Sequence, residues 1–477
     1  MLPSEGLAAD AVLAEITAMR EADLPTHGGT LFAYVYDPAV PGLDELTTAA
    51  YALASHVNGL DPTAFPSLLA MENALVGAAA GLLGGDGDTV GSVTSGGTES
   101  LILAVKAARD ARPDIAEPRL TMPASAHAAF AKAAHYLGVG MDIVPVDPVT
   151  LTPDPTAMAG LIGPDTVLVV ASAPSYAHGV IDPVEPIATA AAAAGVRCHV
   201  DGCFGGWVLP YLSRLGAPIP PFDFSVPGVT SISVDLHKYA YTPKGVSILL
   251  HRDAALRAPQ YFAWADWPGY TMINPVISST RSGGPIAAAY ATLRFIGDAG
   301  YLELARATRE AVAALAGLVR NTDGLRLMTE PLATVVAFTS DDPALDLFVL
   351  ADELALRGWH TQPQMSYDQL PVSIHLSVTA SVAPRVGDFA AVLADAVAAA
   401  RAAGPATVPA EIAAMASVLT PDALTPETVA GLAESLGLGG ADPHPRMAPV
   451  NAILDLAPPR LREKLLVEFL SLLQRPT

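Results

Sequence analysis

Cysteine is scarce in this sequence. Only Cys198 and Cys203 occur among its 477 residues. Two cysteines cannot form a disulfide framework in a chain of this length. Reduced thiols are typical of the cytoplasm, so we expect a cytoplasmic protein.

Positive charge and long apolar runs are also scarce. The chain has 26 Lys and Arg against 48 Asp and Glu, a formal charge of −22. This excess argues against nucleic acid and anionic membrane surfaces as partners. Hydrophobic residues make up 51% of the chain. However, Gly, Pro, Asp or His interrupts each apolar stretch before the roughly 20 residues that a membrane span needs. We expect no membrane span and no signal peptide.

Strand and helix patterns alternate along much of the chain. The continuous apolar run 166–173 is typical of a buried parallel strand. The alternation predicts an α/β fold, in which helices cover both faces of a mainly parallel sheet and a ligand binds at the carboxyl ends of the strands. Strands are predicted at 141–146, 166–173, 196–201, 230–235 and 246–251, and helices at 101–111, 126–137 and 183–194.

The length of the chain predicts more than one domain. Helices at 285–297 and 302–320 are predicted to bridge a large and a smaller α/β domain. The last part is rich in Pro and Gly, with a loop at 436–449 and an amphipathic helix at 459–473. The predicted divisions are an N-terminal segment 1–70, a large cofactor-binding domain 71–300, a small C-terminal α/β domain 301–403 and a helical extension 404–477.

The most informative stretch is 231–238, which reads SISVDLHK. It predicts a strand that runs directly into His237 and Lys238. A lysine at a strand end can point into a cleft and form a Schiff base, while the adjacent histidine faces an anionic group. A solvated surface pair is the ordinary reading of His-Lys alone, so other motifs must support a site.

Two such motifs precede the lysine. In 93–100, VTSGGTES, Gly96 and Gly97 allow the backbone to approach a phosphate, and the following helix presents free N–H groups. Asp201 ends the strand 196–201 and can keep a pyridine nitrogen protonated. A helix cap and a loop carboxylate are the ordinary readings. The chain order of loop, Asp and Lys favours a pyridoxal phosphate site.

Several longer motifs occur in a fixed order: TSGGTES (94–100), SAHAAF (125–130), PSYAHGVIDPV (174–184), HVDGCFGGW (199–207), the run 222–245 and SSTRSGGP (278–285). They resemble those of the pyridoxal-phosphate group II decarboxylase superfamily and, within it, the sphingosine-1-phosphate lyases. The resemblance extends from about residue 34 to about residue 377. It implies the pyridoxal-phosphate-dependent transferase-like fold (fold type I) with a mainly parallel seven-stranded sheet, pyridoxal 5'-phosphate as cofactor, no metal, and a homodimer with the active site at the subunit interface.

The resemblance also implies roles for single residues. Lys238 would form the Schiff base, and Asp201 would pair with the pyridine nitrogen. His127 would stack on the cofactor ring and relay protons. The cofactor phosphate would be held by Ser95, Gly96, Gly97, Thr98 and His237, and by Ser282 and Gly283 from the neighbouring subunit.

Two further candidates for catalysis have ordinary alternatives. His178 would lie near the cofactor, or it is a turn residue that caps the next helix. Tyr241 follows the lysine closely and is either catalytic or a core aromatic.

Residues matching the substrate-phosphate site of the lyases include one departure. Tyr36, Asn58 and Lys244 match residues that line this site. Asp61 stands before Pro62 where the lyases have a histidine. Asp61 therefore turns away from the site, pairs with Lys244, or indicates a substrate that has no phosphate at that end.

These residues predict a carbon–carbon lyase. It would cleave a phosphorylated long-chain base, or a related amino alcohol, by a retro-aldol reaction. The alternative is an amino-acid decarboxylase, because the same cofactor serves both reactions and the bond held perpendicular to its ring is the one that breaks. A remote alternative is a protein that binds the cofactor without turnover.

Overall fold

A seven-stranded sheet forms the centre of the larger part of the computed structural model, which describes residues 2, 4–408, 421–436 and 445–474. Its spatial order is β1-β7-β6-β5-β4-β2-β3. Only β7 runs against the other strands, since it pairs antiparallel with both β1 and β6. The strands are β1 Val90–Thr94, β2 Arg119–Pro123, β3 Gly140–Val144, β4 Thr166–Ser172, β5 Arg197–Asp201, β6 Ser231–Asp235 and β7 Ser247–His251.

Helices cover both faces of this sheet. Along β4, Leu168 and Val170 pack into one apolar cluster, whereas Val169 and Ala171 pack into another. Because side chains alternate across a strand, both faces of the sheet are buried, as the apolar run of β4 predicts. The helices before the second domain are α1 Ala9–Met19, α2 Leu43–Ala54, α3 Pro66–Leu82, α4 Gly97–Asp110, α5 Ala129–Leu137, α6 Pro155–Gly160, α7 Val184–Ala193, α8 Leu209–Arg214 and α9 Ala254–Arg257.

A four-stranded antiparallel sheet with its own apolar core forms the smaller unit. Phe32, Phe338 and Phe389 lie in this core and are almost completely shielded from solvent. A separate two-stranded hairpin consists of β8 Phe262–Trp264 and β9 Met272–Asn274. The small sheet has the order β10-β11-β13-β12, where β10 is Leu325–Leu327, β11 Val335–Ser340, β12 Gln362–Gln364 and β13 Ser373–Ser377, and it packs with α11 Leu347–Ala355 and α12 Val386–Ala403.

Two helical segments, which together span α10 Gly284–Asn321, connect the two sheets. The prediction of two helices at 285–297 and 302–320 is confirmed, although the gap between them is shorter than predicted. Gly297 has φ 64° and ψ 172°, so the chain kinks there, but helix resumes at once. Only glycine adopts this conformation readily, which is why a kink can form at this position. The alternation of strand and helix and the α/β class are confirmed, whereas the exact domain boundaries stay predictions.

Three helices follow α12 in the described part of the extension: α13 Pro426–Ser435, α14 Ala448–Leu456 and α15 Pro459–Leu473. The predicted terminal helix at 459–473 is confirmed. The predicted loop at 436–449 lies mostly outside the described residues, and α14 begins within its last two positions. Within the described ranges, no helix has the length and apolar character needed to cross a bilayer.

Close packing of a loop against α7 predicts a strong effect of one added methyl group. A Cβ at Gly228 would lie 2.6 Å from the carbonyl carbon of Ala188, a backbone atom that can move only with its helix. We expect Gly228→Ala to lower the free energy of unfolding by about 1–3 kcal/mol, the usual cost of overpacking. Gly163→Ala is the control, because its Cβ would meet nothing within 4 Å. Thermal unfolding of both variants tests this, and equal midpoints would contradict it.

Candidate active site

A cavity of about 420 Å³ opens at the carboxyl ends of the central strands. Ser172, Asp201 and Asp235, the last residues of β4, β5 and β6, all line it. The amino end of α4 and the turn that carries Lys238 complete its wall. This is the edge at which a parallel sheet with helices on both faces is expected to bind a ligand.

Lys238 enters the cavity from the turn that follows β6. Its Nζ lies 3.0 Å from Asp235 Oδ2 and 5.3 Å from the centre of the Phe204 ring. Burial disfavours the ammonium charge. The attraction of Asp235, Cys203 and Asp201 outweighs burial, so the pKa of Lys238 is raised above its usual value. The lysine is therefore a cation held by a counter-charge in the free protein.

Asp235 was missed in the sequence, although it lies three residues before the lysine. Its side chain is only 4% exposed. Ser247 donates a hydrogen bond of 2.5 Å to its Oδ1. Burial favours the neutral acid, yet Lys238 and His237 outweigh burial and lower the pKa of Asp235. An acid one turn before a buried lysine is the signal that could have identified this pair.

Asp201 is fixed at the end of β5 by hydrogen bonds to one of its oxygens. Oδ1 accepts the Cys203 N–H at 3.0 Å and lies 3.4 Å from Ser233 Oγ. The residue is 7% exposed and faces the cavity. Buried carboxylates need such donors, because burial without them favours the neutral acid.

The predicted phosphate loop is found at the amino end of α4, where Ser95, Gly96, Gly97 and Thr98 line the cavity. A Cβ at Gly97 would lie 2.8 Å from both Asp235 carboxylate oxygens, so a larger residue would displace that acid. Glu99 holds the loop through Oε2, which accepts the Ser95 N–H at 2.6 Å. Free N–H groups at the start of a helix suit an anion such as phosphate.

Two predicted histidines also line the cavity. His127 Nδ1 accepts the Ala129 N–H at 3.2 Å, which leaves Nε2 to carry the proton of a neutral ring. His237 Nδ1 lies 3.0 Å from the Val246 carbonyl oxygen and so donates to it. Burial lowers the pKa of His237 despite the opposing effect of Asp235. The His237 ring is therefore positioned as a neutral hydrogen-bonding group.

Lys244 places a second ammonium group in the same cavity. Its Nζ lies 5.1 Å from the centre of the Tyr36 ring, a cation–π contact. Burial and the nearby Lys238 lower the pKa of Lys244 to about 8. Tyr36 thus supports Lys244 instead of lining the cavity itself.

Tyr176 and Asp182 are further residues that sequence reasoning missed. Tyr176 lines the cavity and stacks on His375, with ring centres 4.5 Å apart. Asp182 is completely buried and accepts the Ser172 N–H at 2.7 Å. Burial raises the pKa of Asp182 to about 7. Both lie in the motif PSYAHGVIDPV. The length of this motif could have indicated that more of its residues than His178 belong to the site.

His178 and Tyr241 do not line the cavity. His178 lines a separate space of about 100 Å³, where its Nδ1 has no hydrogen-bond partner among the described residues. Burial lowers the pKa of His178 to about 4. Tyr241 is 5% exposed, adopts φ 56° and contacts the Tyr239 ring. In the single chain both residues have packing contacts, and their catalytic roles stay predictions.

The other predicted residues lie outside the cavity, where Ser282 is exposed, Asn58 is partly buried and Gly283 is buried. The Gly283 N–H donates to Val57 O at 2.8 Å, and Ser282 Oγ donates to Ser55 O at 3.0 Å. Asn58 pairs with Ser282 in an isolated bridge. The five residues 55, 57, 58, 282 and 283 therefore form one patch within the chain.

Asp61 occupies a tight turn near this patch. Its Oδ1 accepts the Thr63 N–H at 2.8 Å and the Thr63 hydroxyl at 2.6 Å. These hydrogen bonds lower the pKa of Asp61. The carboxylate is thus engaged by its own loop in the single chain, and its role toward a substrate stays a prediction.

Comparison with known proteins identifies the family. The model of the "Pyridoxal-dependent decarboxylase conserved domain" matches residues 34–341. The chain belongs to this family. A second family model, described as "Pyridoxal-dependent enzyme, C-terminal putative HTH domain", matches 388–472 and so covers most of the extension that sequence reasoning left without a role.

Individual relatives are similar over much of the chain. A sphingosine-1-phosphate lyase from Dictyostelium discoideum is 40% identical over 71% of this chain and 63% of its own length. The Arabidopsis thaliana enzyme of that name is 38% identical over 83% and 73%. The solved sphingosine-1-phosphate lyase from Burkholderia pseudomallei has 38% identity and a TM-score of 0.79, covering 84% of this chain and 93% of its own. The chain thus spans less than two thirds of the first of these relatives.

More distant structures share the fold. Glutamate decarboxylase from Lactobacillus brevis has 20% identity and a TM-score of 0.73, over 84% of this chain and 96% of its own. The expected fold type I is thereby confirmed.

The cavity of this pyridoxal-dependent decarboxylase family member fits pyridoxal 5'-phosphate, the cofactor that the family implies. Lys238 supplies an amine, Asp201 a carboxylate and the start of α4 an anion site, all around one space. The Ser172 hydroxyl is buried at the cavity wall without a partner among the described residues. A buried polar group without a partner marks a place where a polar ligand is expected.

The ion pair of Lys238 generates a prediction about cofactor retention. Asp235→Asn removes the carboxylate that holds the Lys238 amine at 3.0 Å inside the cavity, so the amine is less well positioned to carry the cofactor. We expect pyridoxal phosphate to bind at least about tenfold more weakly, the lower end for a lost hydrogen bond to a charged group. Dialysis followed by absorbance measures retention.

Asp298→Asn is the matched control for this change. It removes the same charge from an ion pair with Arg214 in which both side chains are largely exposed, 44% for Arg214 and 65% for Asp298. Exposed pairs contribute little, so this variant should retain cofactor normally. Equal retention by both variants would refute the role given to Asp235.

Proposed function

We propose that the protein is a pyridoxal-phosphate-dependent carbon–carbon lyase that cleaves a phosphorylated long-chain amino alcohol into an aldehyde and a phosphorylated amine. The observation that supports this most directly is Lys244, a second ammonium group in the cavity of Lys238. A cation beyond the reacting centre suits a substrate that carries an anionic end. Relatives named sphingosine-1-phosphate lyase, at 33–40% identity, support the same class.

The cavity residues divide the work of such a cleavage. When bound, the cofactor supplies a carbonyl carbon that condenses with an amine and a protonated ring that draws electrons from the breaking bond. Lys238 holds the cofactor, and Asp201 holds a proton on its ring nitrogen. His127 presents its Nε2 proton toward the reacting groups, and Lys244 orients the substrate phosphate.

The net reaction needs no co-substrate. The β-hydroxyl loses its proton, the Cα–Cβ bond breaks, and the oxygen leaves as part of an aldehyde. The other fragment takes up a proton at Cα and leaves as an amine. His127 lines the cavity, and an imidazole ring can both accept and donate a proton, so the same cavity can hold both transfers.

Amino-acid decarboxylation is the second candidate, and Lys244 also carries the argument for it. An ammonium group binds a carboxylate as well as a phosphate. In that case Lys244 would hold the acid end of an amino acid, and the bond to the carboxyl group would break. The family shares its cofactor site between both reactions, so the products must distinguish them.

Product analysis tests the proposed reaction. Purified protein with pyridoxal phosphate is incubated with phosphorylated long-chain bases and, separately, with a panel of amino acids. We expect aldehyde release from the first class and no CO₂ from the second. CO₂ without aldehyde would establish the decarboxylase instead, and neither product would support a cofactor-binding protein without turnover. Lys238→Ala is the control for catalysis outside the site.

The pKa of Lys244 predicts how substrate binding changes with pH. Its pKa is lowered to about 8, so the ammonium charge is present below that pH and is lost as the pH rises through it. A phosphate monoester stays doubly charged above about pH 6, so its own charge does not change in this window. We expect KM for a phosphorylated substrate to rise between pH 7 and 9, with kcat less affected.

Lys244→Arg is the control, because arginine keeps its charge throughout this range. Its KM should stay nearly constant between pH 7 and 9. A parallel rise in both proteins would assign the pH dependence to another group.

We further propose a homodimer with shared sites. Residues 281–284 lie outside the cavity of their own chain and pack on 55–59. Within this loop Ser282 is exposed, whereas Gly283 and Gly284 are buried. The exposed side of the loop suits contact with a neighbouring subunit, where Ser282 and Gly283 would reach the cofactor phosphate. A cytoplasmic location is also proposed, since both cysteines are free and buried.

Mixing inactive variants tests the shared site. Lys238→Ala removes the reacting amine, and Ser282→Asp would place a negative charge against the phosphate of the other subunit. If sites are shared, a co-refolded mixture contains hybrid dimers in which one site has neither defect. We expect the mixture to be clearly more active than either variant alone. Activity equal to the average of the separate variants would contradict the shared site.

A further inference from the structure

A buried chain of hydrogen bonds leads from Asp201 away from the cavity to His199. The two residues are separated by one residue on β5 and therefore face the same side of the sheet. Their register partners on β6 are Ser231 and Ser233. His199 Nδ1 lies 2.8 Å from Ser231 Oγ, and its Nε2 lies 3.2 Å from Ser233 Oγ. Ser233 Oγ in turn lies 3.4 Å from Asp201 Oδ1.

The surroundings keep the His199 ring neutral. His199 and Ser233 are completely shielded from solvent, and the Phe130 ring packs against the imidazole at 6.0 Å between centres. Burial lowers the pKa of His199 to about 3. A neutral imidazole has one N–H and one acceptor nitrogen, so it can donate in only one direction.

When Asp201 is ionised, the number of available protons determines which nitrogen of His199 donates. A carboxylate only accepts, so the Ser233 hydroxyl must donate to Asp201. The Ser233 oxygen is then available only as an acceptor toward the ring, which places the His199 proton on Nε2. Nδ1 is therefore the acceptor, and the Ser231 hydroxyl donates to it. Ser233 Oγ also accepts the Cys203 thiol at 3.2 Å, so this oxygen accepts two hydrogen bonds and each donor has one acceptor.

We propose that His199 is a positioning residue for Asp201, acting through Ser233. By donating from Nε2, it orients the Ser233 hydroxyl toward the carboxylate. The oriented hydroxyl holds the Asp201 carboxylate in place at the cavity, where it would keep the proton on a bound pyridine nitrogen. The inference rests on the cofactor role proposed above for Asp201.

The ordinary alternative is that His199 only fills the core and satisfies two serines. Under that alternative, any substitute of similar size and polarity should serve equally well. The two amide side chains separate the readings. Glutamine can place its nitrogen near the position of Nε2, whereas asparagine can place its nitrogen near that of Nδ1.

We therefore expect His199→Gln and His199→Asn to differ. His199→Gln keeps a donor to Ser233 and should stay within about threefold of the natural protein. His199→Asn loses that donor and should weaken pyridoxal phosphate retention and lower kcat by at least about tenfold each, the scale for a hydrogen bond to a charged group. KM should change little, because His199 and Ser233 are buried behind Asp201 and do not line the cavity.

Ser233→Ala provides a second, smaller change that does not depend on tolerance of the larger ones. It should reproduce the loss seen in His199→Asn, and the double variant should be no worse than either single variant, since both break the same chain. Ser231→Ala is the matched control, because it removes the hydroxyl on the other side of the ring and leaves the Nε2 donor in place. Thermal unfolding midpoints of all variants separate misfolding from loss of the chain.

The outcomes distinguish failure of this inference from failure of the proposed function. Equal effects of His199→Gln and His199→Asn, or additive effects of His199→Asn and Ser233→Ala, would overturn the inference. Asp201→Asn is measured in parallel. If it loses turnover while His199→Asn does not, only the role of His199 fails. If Asp201→Asn keeps full turnover, the proposed use of the cofactor fails as well.

Discussion

The burial of charge at the ends of β5 and β6 is the constraint on which the site depends. Asp201, Asp235 and Lys238 lie within one cavity wall, and each is largely removed from water. An isolated buried charge would neutralise itself, at a cost of several kcal/mol for the folded state. Here each charge has partners: Asp201 accepts the Cys203 N–H from its own loop, Asp235 accepts the Ser247 hydroxyl from β7, and the lysine is paired with Asp235. The site is held ready for a ligand by these contacts.

The parallel sheet explains why these groups meet. Three neighbouring strands end at the same edge, so residues far apart in the chain lie side by side there: Ser172 pairs with Asp201, and Asp201 with Ser233. The antiparallel strand β7 then returns beside β6, and its Ser247 reaches Asp235. The start of α4 approaches the same acid so closely that Gly97 has no room for a side chain. One sheet edge thus positions the amine, the carboxylates and the anion site together.

Sequence reasoning found the groups with distinctive neighbours. Lys238 follows a strand and a histidine, and the glycine pair at Gly96 and Gly97 opens a helix, so both were predicted with their surroundings. Their spatial meeting at one edge followed from the α/β pattern. Asp235 and Asp182 were missed, although the spacing of Asp235 before Lys238 and the long motif around Asp182 were signals that the sequence contains. Their importance arises from burial, which depends on how distant segments pack.

The end of the first segment of α10 at Gly297 was predicted, and only the immediate return to helix after this glycine was missed. The environment of Asp61 could not be predicted, because it depends on local hydrogen bonds that the motif does not reveal. For Asp61, the motif predicted an effect of its negative charge on substrate binding. In the structure its carboxylate accepts hydrogen bonds from Thr63 in a turn. Ser282 is predicted to contact the cofactor of a neighbouring subunit. A single chain contains only its own half of such a contact.

The claim on which the account rests is that Lys238 is the residue that carries pyridoxal phosphate. Reduction of the protein–cofactor complex with borohydride fixes the cofactor to its amine, and peptide mapping then identifies the labelled residue. We expect one labelled peptide, containing Lys238, and no stable label in Lys238→Ala. A label on Lys244, the other lysine of the cavity, would contradict the account, because the amine and the substrate-binding cation would then exchange roles.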